Sequence, residues 1–157
     1  LASRQARRLG LENLRCVVRD ASLPLASLAA ERGFDRALVD APGSGLGALR
    51  RNPDARWRVV PGELSRLGDT QLAILRQAAA TLVPGGVLVY STCTLLPEEN
   101  EAIVQAFLDE APEFRLARAE DAPAEARPLV GSDGFLRTLP HRHDADGFFA
   151  ARLERCS

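Results

Sequence analysis

An α/β sheet is the fold class the sequence predicts, and three observations carry it. Two short apolar runs, Asp35–Val39 and Val87–Tyr90, stop at polar residues and bracket a long stretch of leucines at helical spacing. The second run is apolar on both faces, as a strand buried in a parallel sheet requires. Two further runs, Gly134–Leu139 and Gly147–Leu153, are joined by a polar loop and read as an antiparallel pair. Strand–helix alternation that ends in a hairpin is the pattern of an α/β sheet. A chain of 157 residues is long enough for one modest domain with a real core.

The elements follow in order. Residues 1–9 read as the end of a helix that Gly10 stops. Leu14–Val18 reads as a short strand leading to Asp20. Ser22–Ala30 reads as a helix with Pro24 early, where its missing N–H costs little. Gly33 breaks it, and the next strand ends at Asp40. A loop rich in Gly and Arg then runs to about Val60. Pro61 opens a long helix with Leu64, Leu67, Leu72, Leu75, Ala79 and Leu82 on its apolar face. Pro84-Gly85-Gly86 reads as a turn. Pro97 marks a helix start, with Glu98 and Glu99 in a first turn where the helix dipole favours carboxylates. Ile103, Val104, Phe107 and Leu108 supply its buried face. Phe114–Leu116 is a short strand and Ala119–Leu129 a loop.

Composition narrows the function classes. Charges nearly balance at a net −1, so no global basic field argues for nucleic acid, and any such case rests on local patches. The cysteines Cys16, Cys93 and Cys156 are odd in number and too far apart for a Cys-x-x-Cys knuckle. That argues against a disulfide framework or a zinc site and for a reducing, cytoplasmic setting. No run approaches the ~20 apolar residues of a membrane span, and no segment reads as a signal peptide.

Ligands of open α/β sheets bind beyond the carboxyl ends of the strands, and Asp20, Asp40 and Cys93 each stand at such an end. Either aspartate alone reads as a loop carboxylate capping a turn. A lone Cys93 reads as a small buried apolar residue. Its place past a strand, between Thr92 and Thr94 and just before a helix start, is instead a setting that favours thiolate. Gly43-Ser-Gly-Leu-Gly47 lacks the dinucleotide-binding spacing and follows Pro42, so it reads as a tight turn that also lets a flat ligand approach. Arg50, Arg51, Arg56 and Arg58 surround Trp57. Guanidinium groups pair phosphates and an indole can stack on a base, although Trp57 itself reads as an anchor into the core. His141-Arg142-His143-Asp144-Ala145-Asp146 has metal-ligand spacing but no second motif to support it, and reads as a polar hairpin loop with no metal.

Several segments together resemble a known family. They are Arg8-Leu9-Gly10-Leu11, Phe34-Asp35-Arg36 leading into Asp40-Ala41-Pro42, Arg50-Arg51-Asn52-Pro53 followed by Trp57, and Gln71-Leu72. They continue with Pro84-Gly85-Gly86, Tyr90-Ser91-Thr92-Cys93, Pro97-Glu98-Glu99-Asn100 and Asp146-Gly147-Phe148-Phe149. Through nearly its whole length the chain resembles the RNA cytosine-C5 methyltransferases of the Sun/Fmu (NOL/NOP/Sun) family. The Thr-Cys and Pro-Glu-Glu-Asn pair is the most specific part.

The resemblance implies an S-adenosylmethionine-dependent transferase on a Rossmann-like class I methyltransferase sheet of order 3-2-1-4-5-7-6. This chain would carry strands 3 to 7 of it, with the C-terminal antiparallel hairpin. In the family the Cys matching Cys93 attacks C6 of the target cytosine, which makes C5 nucleophilic enough to take a methyl group. The Asp matching Asp40 hydrogen-bonds N3 and must carry a proton to donate. Asp20, Asp40 and Pro42 fall at cofactor positions, Asp20 against the adenine. Arg50, Arg51 and Arg58 are the expected RNA contacts. The implied partner is RNA, ribosomal ahead of transfer RNA, with no membrane and no metal.

Two departures qualify the resemblance. The family motif at Asp40 usually reads Asp-Ala-Pro-Cys, whereas this chain has Gly43. The family's second Cys helps expel the enzyme thiol, so product release should be slow here and covalent RNA adducts should accumulate. The family's glycine-rich cofactor loop and ribose contact have no counterpart, so residues 1–157 read as a single partial catalytic domain, a C-terminal piece that binds the cofactor feebly by itself. Those departures keep a second reading in view, a non-catalytic RNA-binding module or pseudo-methyltransferase. A Cys-dependent hydrolase ranks below both, because it needs a His base near Cys93 and the only histidines lie at 141–143.

Overall fold

The computed structural model describes residues 2–29, 32–57 and 59–156. Helix α1 (Ala2–Arg8) is followed by β1 (Phe34–Asp40), α2 (Pro61–Ala79), β2 (Leu82–Thr92) and α3 (Glu101–Glu110). Then come β3 (Phe114–Leu116), β4 (Phe135–Thr138), the single turn α4 (Pro140–His143) and β5 (Phe148–Arg155). The sheet has five strands in the order β1-β2-β5-β3, and β4 shares the outer edge of β5 with β3. Among the described residues only β1 and β2 are parallel, in a register that sets Val39 beside Tyr90 and Asp40 beside Ser91. Strand β5 runs antiparallel to β2 and brings Phe149 beside Thr92. Its far edge pairs with β4 through Phe148–Ala151 and with β3 through Leu153–Arg155. The expected succession of strands 4-5-7-6 is therefore present.

Helices α2 and α3 supply the core. Leu75, Ala78 and Ala79 join Ile103, Val104 and Phe107 in one buried cluster with Leu88 and Tyr90 of β2 and Phe149, Ala151 and Leu153 of β5. Full burial of one such leucine or phenylalanine is worth roughly 1.5–3 kcal/mol, and the cluster holds β2 and β5 as the rigid centre. The opposite face is thinly covered: Val87 and Val89 are half-buried, and Leu38 of β1 is 73% exposed.

Several sequence expectations need correction. Leu14–Val18 is not a strand; Leu14 is 51% exposed and Val18 fully so. A strand exists only through a ladder with a neighbour, and among the described residues none lies along this run. In place of the helix Ser22–Ala30 there is one 3-10 turn, Ala26–Leu28, with no buried residue and no side-chain cap to support a longer one. Ala30 lies outside the described residues. Pro84-Gly85-Gly86 belongs to β2 as a bulge: the register passes from Phe34 beside Leu82 to Arg36 beside Val87, and Gly85 takes the left-handed φ of 76°.

Pro97 does not begin α3. Residues 97–100 form turns, and the helix starts at Glu101 because Asn100 takes φ −113°, ψ −95° while its side chain ties back toward β2. Trp57 is no core anchor either. It ends the 3-10 turn Pro53–Trp57 at 76% exposure, with the Arg56 guanidinium 4.9 Å from its ring centroid.

Candidate active site

The parallel register decides the layout. Asp40 is the last residue of β1 and lies beside Ser91, two residues before Cys93. Strand spacing and rise put the Cα atoms of Asp40 and Cys93 roughly 8 Å apart. Ser91 Oγ lies 3.2 Å from the Val39 carbonyl oxygen and 3.4 Å from Asp40 Oδ1, so its one proton serves both acceptors. Asp40 and Cys93 are both exposed. The thiol therefore faces solvent and not packed hydrocarbon.

The turn that carries Cys93 is held by backbone. The Gly47 N–H donates to the Cys93 carbonyl at 2.9 Å, and the Gly147 N–H donates to the Gly47 carbonyl at 2.8 Å. A Cβ on Gly47 would stand 1.9 Å from the Gly147 oxygen and 2.8 Å from the Cys93 oxygen. Only glycine permits this three-layer contact.

Beneath the two loops lies a buried polar cluster. Glu99 is wholly buried. Its Oε2 accepts from the Ser44 N–H at 2.8 Å and from Gln71 Nε2 at 3.0 Å, and its Oε1 accepts from the Ser44 hydroxyl at 2.5 Å. Ser44 Oγ is 3.0 Å from Thr94 Oγ1, and Gln71 Nε2 also donates to the Pro42 carbonyl at 2.8 Å. Thr92 Oγ1 donates to Asn100 Oδ1 at 2.5 Å, and Asn100 Nδ2 donates to the Thr94 carbonyl at 3.1 Å. The Tyr90 hydroxyl donates to the Glu99 backbone carbonyl at 2.7 Å. Burial, and then the Glu99 charge, push the Tyr90 phenol well above its usual range, so it remains a donor. Gly43 sits against this cluster: a Cβ there would meet Glu99 Oε2 at 2.8 Å.

Other expected site residues fall elsewhere. Asp20 is exposed, and its Oδ1 accepts from the Ser22 N–H at 2.9 Å and the Ser22 hydroxyl at 2.6 Å. These bonds hold its carboxyl below the usual range. Pro42 enters the polar cluster through its carbonyl. Arg50 pairs with Asp144 at 2.9 Å and Arg51 with Asp146 at 3.1 Å, so the basic loop is tied to the segment just before β5. Arg58 lies outside the described residues. Among the described residues no group of His, Cys, Asp and Glu could hold a metal ion, and His143 Nδ1 accepts from the Leu139 N–H at 2.8 Å.

Sequence reasoning quoted Gln71 and Glu99 without seeing what they do. A signal existed for Gln71. It stands four residues after Leu67 and four before Leu75, on the apolar face of α2. A polar side chain there has to find buried partners.

Comparison with known proteins fits this geometry. The family described as 16S rRNA methyltransferase RsmB/F matches residues 2–154. "Probable ribosomal RNA small subunit methyltransferase B" of Bacillus subtilis (strain 168) is 41% identical over 157 residues, which is 99% of this chain and 35% of that protein. The protein of the same name from Synechocystis sp. is 42% identical over 148 residues, 94% of this chain and 33% of that one. The chain thus spans about a third of the length of these curated relatives. Among solved structures, NSun6 from Pyrococcus horikoshii with SFG superposes with a TM-score of 0.78 at 29% identity, over 99% of this chain and 38% of that one. A methyltransferase homolog protein from the same organism gives 0.75 at 29% identity, over 98% and 48%.

Proposed function

The chain belongs to the 16S rRNA methyltransferase RsmB/F family, and on that premise we propose that it is part of the catalytic domain of an S-adenosylmethionine-dependent enzyme that methylates cytosine C5 in ribosomal RNA through a covalent Cys93–C6 adduct. The observation that carries this reading is the pair of exposed groups, Asp40 and Cys93, at adjacent exits of the one parallel strand pair.

The chemistry follows from the target. C5 of cytosine is a poor nucleophile. When Cys93 Sγ bonds to C6, the electron pair of the C5–C6 double bond moves onto C5 and into the ring toward N3. A hydrogen bond between the Asp40 carboxyl and N3 stabilises the charge that gathers there. C5 then takes the methyl group, its proton leaves to solvent or a base, and the Cys93–C6 bond breaks as the double bond returns.

An acceptor suited to the cofactor's nucleoside is present. Among the described residues, only Oδ1 of Asp20 is engaged, which leaves the second oxygen of this exposed carboxylate for adenine hydrogens. S-adenosylmethionine would supply an electrophilic methyl group; NSun6 in its complex carries SFG, an analogue of it. Arg50 and Arg51, half to mostly exposed despite their ion pairs, and Arg58 would meet RNA phosphates. A cytoplasmic location accompanies this substrate, and ribosomal RNA ranks ahead of transfer RNA.

Gly43 leaves no second thiol beside Glu99, so the final elimination should be slow. Full-length protein mixed with cofactor and ribosomal RNA should give a shifted band on a denaturing gel, and Cys93→Ala should lose both the band and methylation while still binding RNA. Fast turnover with no shifted band would overturn slow release. Methylation that survives Cys93→Ala would favour the other reading supported by Gly43, a non-catalytic RNA-binding module.

A further inference from the structure

The reaction above uses none of the atoms of Glu99, yet among the described residues Glu99 is the most completely enclosed acid. A carboxylate withdrawn from water is costly unless hydrogen bonds hold it, and an apolar side chain would fill the same space at less expense of stability. Among the described residues no cation is its partner; three donors hold it, two from Ser44 and one from Gln71. Those donors belong to the two segments that matter. Ser44 stands on the loop after Asp40 and contacts Thr94, the residue after Cys93. Gln71 binds the carboxylate and the Pro42 carbonyl with one nitrogen. Tyr90, from the strand that delivers Cys93, fixes the Glu99 backbone.

We propose that Glu99 is a positioning residue that sets the separation of Asp40 and Cys93, by clamping the Pro42–Ser44 loop to the Thr94 turn through Ser44 and Gln71. The proposal rests on the covalent reaction described above and deepens it. Gly43 is part of the clamp, because any side chain there would press on Glu99 Oε2.

The clamp works through hydrogen-bond geometry, and that gives a sharp test. In Glu99→Gln the amide oxygen can still accept from Ser44 N and Gln71 Nε2. The new amide N–H₂ can donate to Ser44 Oγ, whose own proton turns to Thr94. In Glu99→Ala all three hydrogen bonds to the carboxylate are lost, and with them the link between the two loops. The assay is the rate at which full-length protein with S-adenosylmethionine forms a Cys93 adduct with ribosomal RNA carrying 5-fluorocytidine: once C5 is methylated its fluorine cannot leave as a cation, so the adduct persists.

Glu99→Gln should stay within about threefold of wild type, because every hydrogen bond is replaced. Glu99→Ala should be about 10²-fold slower, the scale for a small misplacement of reacting groups, with KM for RNA and affinity for S-adenosylmethionine unchanged. Ser44→Ala, which removes one hydroxyl and leaves no large void, should be about tenfold slower and reads the clamp even if Glu99→Ala fails to fold. A wild-type rate in Ser44→Ala overturns the proposal, as does Glu99→Gln falling as far as Glu99→Ala. Absence of any adduct in the wild type overturns the reaction itself, and the clamp with it.

Discussion

The loops after β1 and β2 and the segment from residue 11 to residue 29 both follow a helix or strand and both carry an expected functional aspartate, yet they are built differently. Around Asp40 and Cys93, backbone and buried side chains from five stretches of chain converge: Ala41 N–H donates to the Ser91 carbonyl, Gly47 to Cys93, Gly147 to Gly47, and Ser44 and Gln71 to Glu99. Around Asp20 the hydrogen bonds stay within the segment, to Ser22, within single turns and from Arg19 to Ser27, and the apolar side chains Leu14, Val17, Val18 and Leu23 remain about half or more exposed. One region is over-determined by tertiary contacts. The other is held mostly by hydrogen bonds between residues close in the chain.

The harshest way to break the first region is Gly47→Ala. Its new methyl carbon would overlap the Gly147 carbonyl and press on the Cys93 carbonyl, backbone atoms that no rotamer change can move. We expect about 3 kcal/mol of destabilisation, the upper part of the range for overpacking, read from urea unfolding of the full-length protein. Adduct formation should fall with it, because the Cys93 turn is one of the displaced layers. A neutral substitution would mean that the three-layer contact is not what holds the turn.

Asp20→Ala probes the second region. Its carboxylate organises one exposed turn, so folding should be untouched while affinity for S-adenosylmethionine drops about tenfold, the loss expected when one hydrogen bond to a charged acceptor is removed. Isothermal titration of the full-length protein reads both outcomes. Unchanged affinity would reduce Asp20 to a turn cap.

The same contrast explains what the sequence made legible. The strand pair β1/β2, helix α2 and the β4/β5 hairpin were readable because their apolar residues are buried in the pattern they spell: Leu75, Leu88 and Phe149 all end in one core. Leu14–Val18 spells a strand equally well, but pairing is a relation between two segments and a single run cannot declare its partner. Placement of Asp40 and Cys93 at neighbouring strand exits followed from two runs that both stop at polar residues. The inward turn of Glu99 did not. Pro-Glu-Glu is an ordinary opening for a helix, but here Asn100 leaves helical dihedrals and bonds Thr92 and Thr94, while the acid before it is held inside by Ser44 and Gln71. Trp57 failed in the opposite sense, since a large aromatic is an anchor only where the core reaches it.

The mildest test sharpens the contrast through pH. Tyr90 is buried beside the negative Glu99, and both facts disfavour tyrosinate, so its phenol titrates above the ordinary value near pH ~10. Below that value the phenol is neutral in folded and unfolded chains, and its contribution to stability is fully present. As pH rises past it, the unfolded chain releases the proton while the folded one holds it, so stability falls by up to about 1.4 kcal/mol per pH unit until the folded phenol also ionises. Tyr90→Phe removes the donor to the Glu99 carbonyl and should cost about 1 kcal/mol at neutral pH. It should also remove this alkaline loss. Urea unfolding of both proteins at pH 8 and pH 11 therefore gives curves that converge as pH rises, because the variant has less to lose. Parallel curves would mean that the Tyr90 hydroxyl meets solvent, and the polar layer beneath the two loops would then be open from below.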